Sequence, residues 1–345
     1  MADQPKDKDR RGRGHPPSRE VQISKAMSLL LRHAAEKEGL KMNAQGYANV
    51  ADVLAWRKLK SLKVTFDEVR HAVASSDKKR FALLHIPSAQ PTESTTKATT
   101  TPATAPGSGH GDAELAANDG QPPASALDAP ESSEDQQNAT EQALSVTDIN
   151  PFNFLIRATQ GHSIKCVEAA SFLEPLSLAD ESKLPETVVH GTFHGAWPAI
   201  LQSGGLQCMR RNHVHFATGP SLESVLAAQQ HRNKGQEKDG KDQNQVISGM
   251  RQDAQVLIYL NLRKALAAGC PFWRSENGVI LSEGLPVPKG KEDSNGQPVK
   301  NVSVDFFDVV VERKAGLGKI WERGEELQEL PAHLAQKGNS KGTRR

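Results

Sequence analysis

Ile156-Arg157-Ala158-Thr159-Gln160-Gly161-His162-Ser163 gathers a fixed cation, an amide, a glycine, an imidazole and a hydroxyl in consecutive positions. Arginine offers a planar fork of donors matched to phosphate. Glycine lets a ligand or another chain approach the backbone closely. Histidine and serine can hydrogen-bond or move protons. The stretch therefore suits a phosphorylated ligand. Three other segments carry related chemistry. Arg32-His33 lies near the end of an amphipathic helix. His190-Gly191-Thr192 ends an apolar strand, where a glycine leaves room for a flat ligand. Met209 to His215 joins two guanidiniums to alternating histidines, and on a strand His213 and His215 share a face.

Each segment also has an ordinary reading: a helix C-terminus with its usual cations, a strand-end turn, a structural histidine pair. A zinc site from His190, His194, His213 and His215 is disfavoured, because no dense ligand motif such as His-Glu-x-x-His is present. There is no phosphate-binding Walker loop, no Gly-x-Gly-x-x-Gly and no Gly-x-Ser-x-Gly. Glu276 to Leu281 reads as a turn entering a packed strand. Arginines in separate segments remain the distinctive feature. They fit phosphate chemistry, where positioning and charge stabilisation carry most of the work.

The elements that must position these groups fall into two lobes. From 18 to 87 the pattern is helical. Ser18 caps a helix that closes at Gly39, with Ile23, Met27, Leu30, Leu31 and Ala34 on one face. Val50 to Trp56 forms a second helix, and Thr65 to Glu68 is a capping box that opens a third. Lys78-Lys79-Arg80 leads into a strand, Phe81 to Leu84. From 151 to 325 short strands alternate with short helices. The strands are Phe154 to Ala158, Val188 to Gly191, His213 to Phe216, Val256 to Leu260 and Val302 to Val311. The helices are Ala196 to Ser203 and Arg263 to Ala268. The fold class is α+β.

Between the lobes, residues 88–150 are rich in Ser, Thr, Ala, Pro and acids, and are expected to be disordered. They carry ten acids and one cation, Lys97, for a net −9. With +2 on the whole chain, +11 is left on the rest, which favours an anionic partner. Residues 1–17 and 326–345 read as polar, basic tails, and about 231–245 as an exposed loop. Three scattered cysteines support neither a disulfide framework nor a cysteine zinc site. No membrane span or signal-peptide core is visible, so an intracellular protein of the nucleus and/or cytoplasm, and a monomer, is expected.

Taken in order, the motifs resemble the RNA 2′-phosphotransferase family. The matching pieces are Ser24-Lys25, Leu29 to His33, Gly46-Tyr47, Val53-Leu54, Arg80-Phe81, Ile156 to Ser163, His190 to Thr192, Gly205-Leu206, Met209 to Phe216, and Asn277 to Leu281. The resemblance implies an N-terminal winged-helix RNA lobe and a C-terminal ADP-ribosyltransferase-like lobe that binds NAD as co-substrate, with no metal. The implied substrate is RNA, foremost ligated tRNA, that carries a 2′-phosphate at its splice junction. That phosphate would attack the nicotinamide ribose carbon and expel nicotinamide. The ribose 2″-hydroxyl would then attack the phosphate, freeing RNA with a 2′-hydroxyl and ADP-ribose 1″,2″-cyclic phosphate. The resemblance assigns the catalytic set to Arg32, His33, Arg157 and Arg211. It assigns NAD binding to Gln160, His162, Ser163, His190, Gly191, Thr192, His215 and Val279. Thr159 stands where the family often has asparagine. Two alternatives are an ADP-ribosyltransferase acting on another nucleic acid or a protein, and a non-catalytic winged-helix nucleic-acid binder. The strands on either side of the 88–150 insert should still be neighbours, and removing most of that insert should leave catalysis intact.

Overall fold

A computed structural model describes residues 17–87, 133–164, 167, 172–233, 248–287, 292 and 296–335. The first 16 residues, most of the insert (88–132), much of the polar loop (234–247) and the last ten residues lie outside the described residues.

In the N-terminal part, α1 (Arg19–Leu29) runs into a π-helical turn (Leu30–Ala34), followed by β1 (Ala48–Asn49), α2 (Val50–Ala55), α3 (Arg57–Ser61), α4 (Phe66–Ala74) and β2 (Phe81–His85). Then come α5 (Ser133–Ser145), β3 (Phe154–Ala158), β4 (Glu174–Pro175), β5 (Val189–Thr192), α6 (Trp197–Gln202), β6 (Gly205–Gln207) and β7 (Val214–Phe216). The chain continues through α7 (Leu222–Asn233), β8 (Val256–Leu260), α8 (Leu262–Ala267), β9 (Trp273–Arg274), β10 (Ile280–Ser282), β11 (Leu285–Pro286), β12 (Lys300–Ser303), β13 (Phe307–Glu312), β14 (Gly318–Glu322) and β15 (Glu325–Glu326). The protein is α+β, and the described strands pair antiparallel.

Local chemistry explains the helix starts. The Ser18 side chain accepts from the Val21 amide, and Thr65 and Glu68 form a reciprocal capping box. The expected single helix from 18 to 39 is interrupted. A π turn adds a residue to the helical repeat, so the buried stripe passes from Ile23, Met27, Leu30 and Leu31 to Ala35 instead of Ala34. That extra residue also changes the direction in which Arg32 and His33 leave the helix.

The N-terminal core packs α1, α2, α3 and α4 on a three-stranded sheet of order β1-β3-β2. β2 and β3 pair from Phe81 with Ala158 to His85 with Phe154, as expected across the insert. The insert itself departs from expectation, because its end forms α5, which lies on β2. Gln136 and Thr140 are buried and Ala143 is 1% exposed. Thr140 Oγ1 accepts from the Leu83 amide, and Arg70 donates to the carbonyls of Leu144, Val146 and Asp148. Gln136 and Thr140 are polar and Ala143 is small, so the burial leaves no strong apolar periodicity to read.

The C-terminal part builds a five-stranded sheet of order β15-β14-β13-β8-β5 and two smaller sheets, β4-β9-β10-β7 and β11-β12-β6. The run expected as one strand from Val302 to Val311 is two, split by a 3₁₀ turn at Val304–Phe306. The expected tail is also partly ordered. Leu330 is 5% exposed, and Leu334 and Ala335 pack on the main C-terminal core.

Candidate active site

The site is built on the contact between the end of α1 and the turn after β3. The Ser163 amide donates to the Arg32 carbonyl at 2.9 Å, and Ser163 Oγ lies 2.9 Å from His33 Nδ1. Gly161 lies between two functional side chains with φ +86, a conformation only glycine adopts without strain. A methyl group there would sit 3.6 Å from both Arg32 Nη1 and His215 Nε2. The Asn212 amide donates to the His162 carbonyl at 2.9 Å, and Asn212 Nδ2 to the Ile164 carbonyl at 3.0 Å. These bonds tie the turn that carries Arg211 to the turn that carries Gln160, His162 and Ser163.

The histidines are placed by hydrogen bonds to carbonyl oxygens, which only accept. His215 Nδ1 lies 2.9 Å from the His213 carbonyl, so that nitrogen carries the proton. His190 Nδ1 donates likewise to the His215 carbonyl at 2.9 Å. The His215 pKa is held well below the usual histidine range, first by burial and then by Arg211. The neutral ring therefore presents a bare, acceptor Nε2, which is buried and has no partner. His162 is pushed down to about 3, by burial and by Arg32, Arg157, His213 and His33, and its Nε2 is also buried without a partner. His33 is exposed and moved down by burial, Arg211 and Arg32.

Arg32 decides the character of the site. Its Nε and Nη2 are buried with no hydrogen-bond partner. Burial, then Arg211, then Arg80 lower its pKa to about 10. Arg211 is lowered in turn, by burial and then by Arg251. Arg32, Arg80, Arg211 and Arg251 thus repel one another around donors that are left open. Such an arrangement has the charge and hydrogen-bond deficit of an anion site. Arg80 and Arg251, with Asp77, Lys78, Gln252 and Asp253, line an adjoining cleft of about 530 Å³.

Arg157 is held differently from these arginines, although its charge also lowers the His162 pKa. It is 1% exposed, and its guanidinium lies 4.9 Å from the Tyr47 ring centroid and 4.8 Å from that of Phe172. One nitrogen bonds Gln136 Oε1 and lies 3.5 Å from Glu276 Oε2. Two rings, an amide and a carboxylate enclose this guanidinium, and its Nε is buried without a partner. The clamp role expected for Arg157 would need that guanidinium open, whereas Gln136 and Glu276 already hold one of its nitrogens. Arg80 is the arginine that joins Arg32 and Arg211. Sequence reasoning matched Arg80-Phe81 without giving Arg80 a role. The available signal was the basic run Lys78 to Arg80 leading into β2, the strand next to β3; the Thr159 amide donates to the Arg80 carbonyl.

Other expected residues are placed as follows. Thr159 is buried and its hydroxyl donates to the Lys79 carbonyl at 3.0 Å, which supports the left-handed turn at Lys79 (φ 39) ahead of Arg80. Gly191 does not leave its surface to a ligand. A methyl group there would lie 2.4 Å from Met250 Cγ, so the missing side chain accommodates Met250. Thr192 is buried at the end of β5, and Val279 is fully buried in a cluster with Ala35, Ile164, Phe172 and Leu281. His213 packs edge-on against Trp273 and lies 3.8 Å from Glu283, while His215 faces Gly161, so the two rings do different work. His194 is held by Glu312 at 2.8 Å. Among the described residues, no group of three or more His, Cys, Asp or Glu is disposed to hold a metal ion, and no helix is long and apolar enough to cross a membrane.

Residues 18–284 match the model of the RNA 2′-phosphotransferase, Tpt1 / KptA family. The chain belongs to this family. It is 30% identical to tRNA 2′-phosphotransferase 1 of Danio rerio over 277 residues, covering 80% of this chain and 84% of that protein. It is also 30% identical to tRNA 2′-phosphotransferase 1 of Homo sapiens, over 79% of this chain and 75% of the relative. The tRNA 2′-phosphotransferase of Saccharomyces cerevisiae is again 30% identical, over 78% and 81% of the two chains. The matched span contains Arg32, His33, Arg80, Arg211, Arg251 and the histidines of the site.

Proposed function

We propose that this protein is an NAD-dependent tRNA 2′-phosphotransferase, which transfers the splice-junction 2′-phosphate of ligated tRNA to the ADP-ribose of NAD. The observation that carries this reading is Arg32, with two buried guanidinium nitrogens unpartnered and further arginines for neighbours. Family membership directs that open anion site to an RNA phosphate. In this reading the helices packed on β1-β3-β2 are the winged-helix lobe, and the C-terminal sheets are the ADP-ribosyltransferase-like lobe.

The co-substrate supplies an electrophilic ribose carbon and the hydroxyl that later receives the phosphoryl group. The buried acceptor Nε2 of His215 suits a ribose hydroxyl donor, which supports an NAD site beside Gly161. His190 and Thr192 on β5 extend that wall, and Gln160 and His162 lie on the turn beside it. Val279 and Gly191 shape the wall from behind. Arg32, Arg80 and Arg211 hold the 2′-phosphate and the charge that builds up on it during transfer. His33, positioned by Ser163 and neutral near pH 7, can take the proton of the attacking ribose hydroxyl and return it to the departing RNA 2′-oxygen.

The test is incubation with NAD and a 2′-phosphorylated RNA. Loss of the phosphate together with formation of nicotinamide and ADP-ribose 1″,2″-cyclic phosphate is expected. A stable ADP-ribosylated product alone would identify an ADP-ribosyltransferase, and no consumption of NAD would identify a nucleic-acid binder. Arg80→Ala should lower turnover by about 10²-fold or more, as loss of one charge-stabilising donor does.

A further inference from the structure

The turn of chain that follows α2 has a charge the reaction does not use. From Val53 to Phe66 there is no acidic residue, and Arg57, Lys58, Lys60 and Lys63 fall within seven positions. The fold leaves these side chains at the surface. Leu59 of α3 is fully buried and Leu62 packs on the same core, so the cations are turned outward and all four are exposed. Among the described residues, none of the four forms an ion pair. The carboxylate of Glu68 on α4 is taken by Arg19, the first residue of α1.

Arg19 also fixes where the patch lies. Its guanidinium donates to the carbonyls of Leu62 and Lys63, and Lys63 is held in a left-handed conformation at φ 51. The patch is therefore anchored to the beginning of α1, whereas Arg32 and His33 leave its far end. Thirteen residues at 1.5 Å each separate the two by about 20 Å. The patch is outside the phosphate-transfer site, on the same lobe.

We infer that Arg57, Lys58, Lys60 and Lys63 form a second contact for the substrate RNA, gripping backbone phosphates remote from the 2′-phosphate. This rests on the reading of the site as one that acts on 2′-phosphorylated RNA. The chemistry favours a polyphosphate backbone over a protein partner. A protein interface needs an apolar or aromatic centre inside its polar rim, and Leu59 and Leu62 pack on the core. Spaced, unpaired cations on a rigid helix suffice for phosphates, whose contacts position the chain without reading its sequence.

The test compares wild type with Lys58→Ala/Lys60→Ala. Three measurements are made across a salt series: turnover of a short 2′-phosphorylated oligonucleotide, turnover of a full-length 2′-phosphorylated tRNA, and binding of the same tRNA without its 2′-phosphate. Neither lysine touches the reaction, so the oligonucleotide should be processed equally by both proteins. For the tRNA, the variant should show a higher KM at unchanged kcat. Its dependence of log affinity on log salt should be shallower by about one for each lysine removed. Unchanged KM, binding and salt slope for the full-length RNA would overturn the inference, as would an equal loss on the short oligonucleotide. If wild type binds the tRNA through the patch but turns over neither substrate, the activity reading fails and the second contact stands.

Discussion

Arg157→Met separates a structural cation from a catalytic one. In the native protein the Arg157 guanidinium and the Glu276 carboxylate lie 3.5 Å apart, with side chains 2% and 3% exposed. Methionine keeps the volume between Tyr47 and Phe172 and can contact both rings. It leaves Glu276, whose pKa burial already raises, without its cation. Removing one partner of a buried pair costs about 3–5 kcal/mol. At roughly 2–4 °C per kcal/mol for a body of this size, the melting temperature should fall by about 6–20 °C. Arg157→Met/Glu276→Gln removes both charges and should recover most of that loss, because the cost lies in the stranded carboxylate. Thermal unfolding of the two variants measures the stability. Turnover of 2′-phosphorylated RNA, normalised to folded protein at low temperature, measures the chemistry. A double variant as stable as wild type but inactive would show that Arg157 contacts the substrate. A single variant with unchanged melting temperature would refute the buried-pair argument.

Deleting 88–132 should leave folding and turnover close to wild type, since long surface connections cost little closure entropy. Extending the deletion through Ser145 removes α5 from β2 and strips Gln136 from Arg157. Limited proteolysis and thermal unfolding should then report a looser N-terminal lobe; equal stability of the two deletions would contradict this. Stability should also fall in mild acid. His162, held at about 3, and His215, held well below the usual range, stay neutral when folded but protonate in the unfolded chain below about pH 6.5. The unfolded state then binds more protons, so stability is full above that pH and declines toward pH 4 by roughly 1.4 kcal/mol per unit for each histidine. Urea unfolding at pH 7, 6 and 5 should show the decline, and His215→Asn should make it shallower; a flat profile would exclude neutral burial.

Much of the scaffold was legible in local pattern. Ser18, Thr65 and Glu68 cap helices because their side chains reach amides within their own turn. β3 and β8 have the bounds that alternating and continuous apolar runs suggest. The partnership of β2 and β3 across the insert was also legible, because each is an apolar strand with a motif at its end. The α5 helix was not. Its buried stripe is Gln136, Thr140 and Ala143, and its energy lies in hydrogen bonds to Phe172, Leu83 and Arg157. The π turn was equally hidden, since a one-residue offset leaves no mark on a pattern of leucines and alanines.

The sequence alone determined that several arginines, with histidines beside them, would meet on an α+β scaffold to manage phosphate. It did not determine which arginines. Arg157 stands in the segment that looks most like a phosphate turn, and Arg80 stands in an ordinary basic run. Tertiary structure gives the two guanidiniums different surroundings. α5, Tyr47, Phe172 and Glu276 close over Arg157, whereas Arg80 lies at the head of β2 beside a cleft it shares with Arg251. The physical reason is that a guanidinium's function depends on what occupies its open faces. That is decided by elements distant in sequence, here a helix that enters from the polar insert and a carboxylate more than a hundred residues further along the chain.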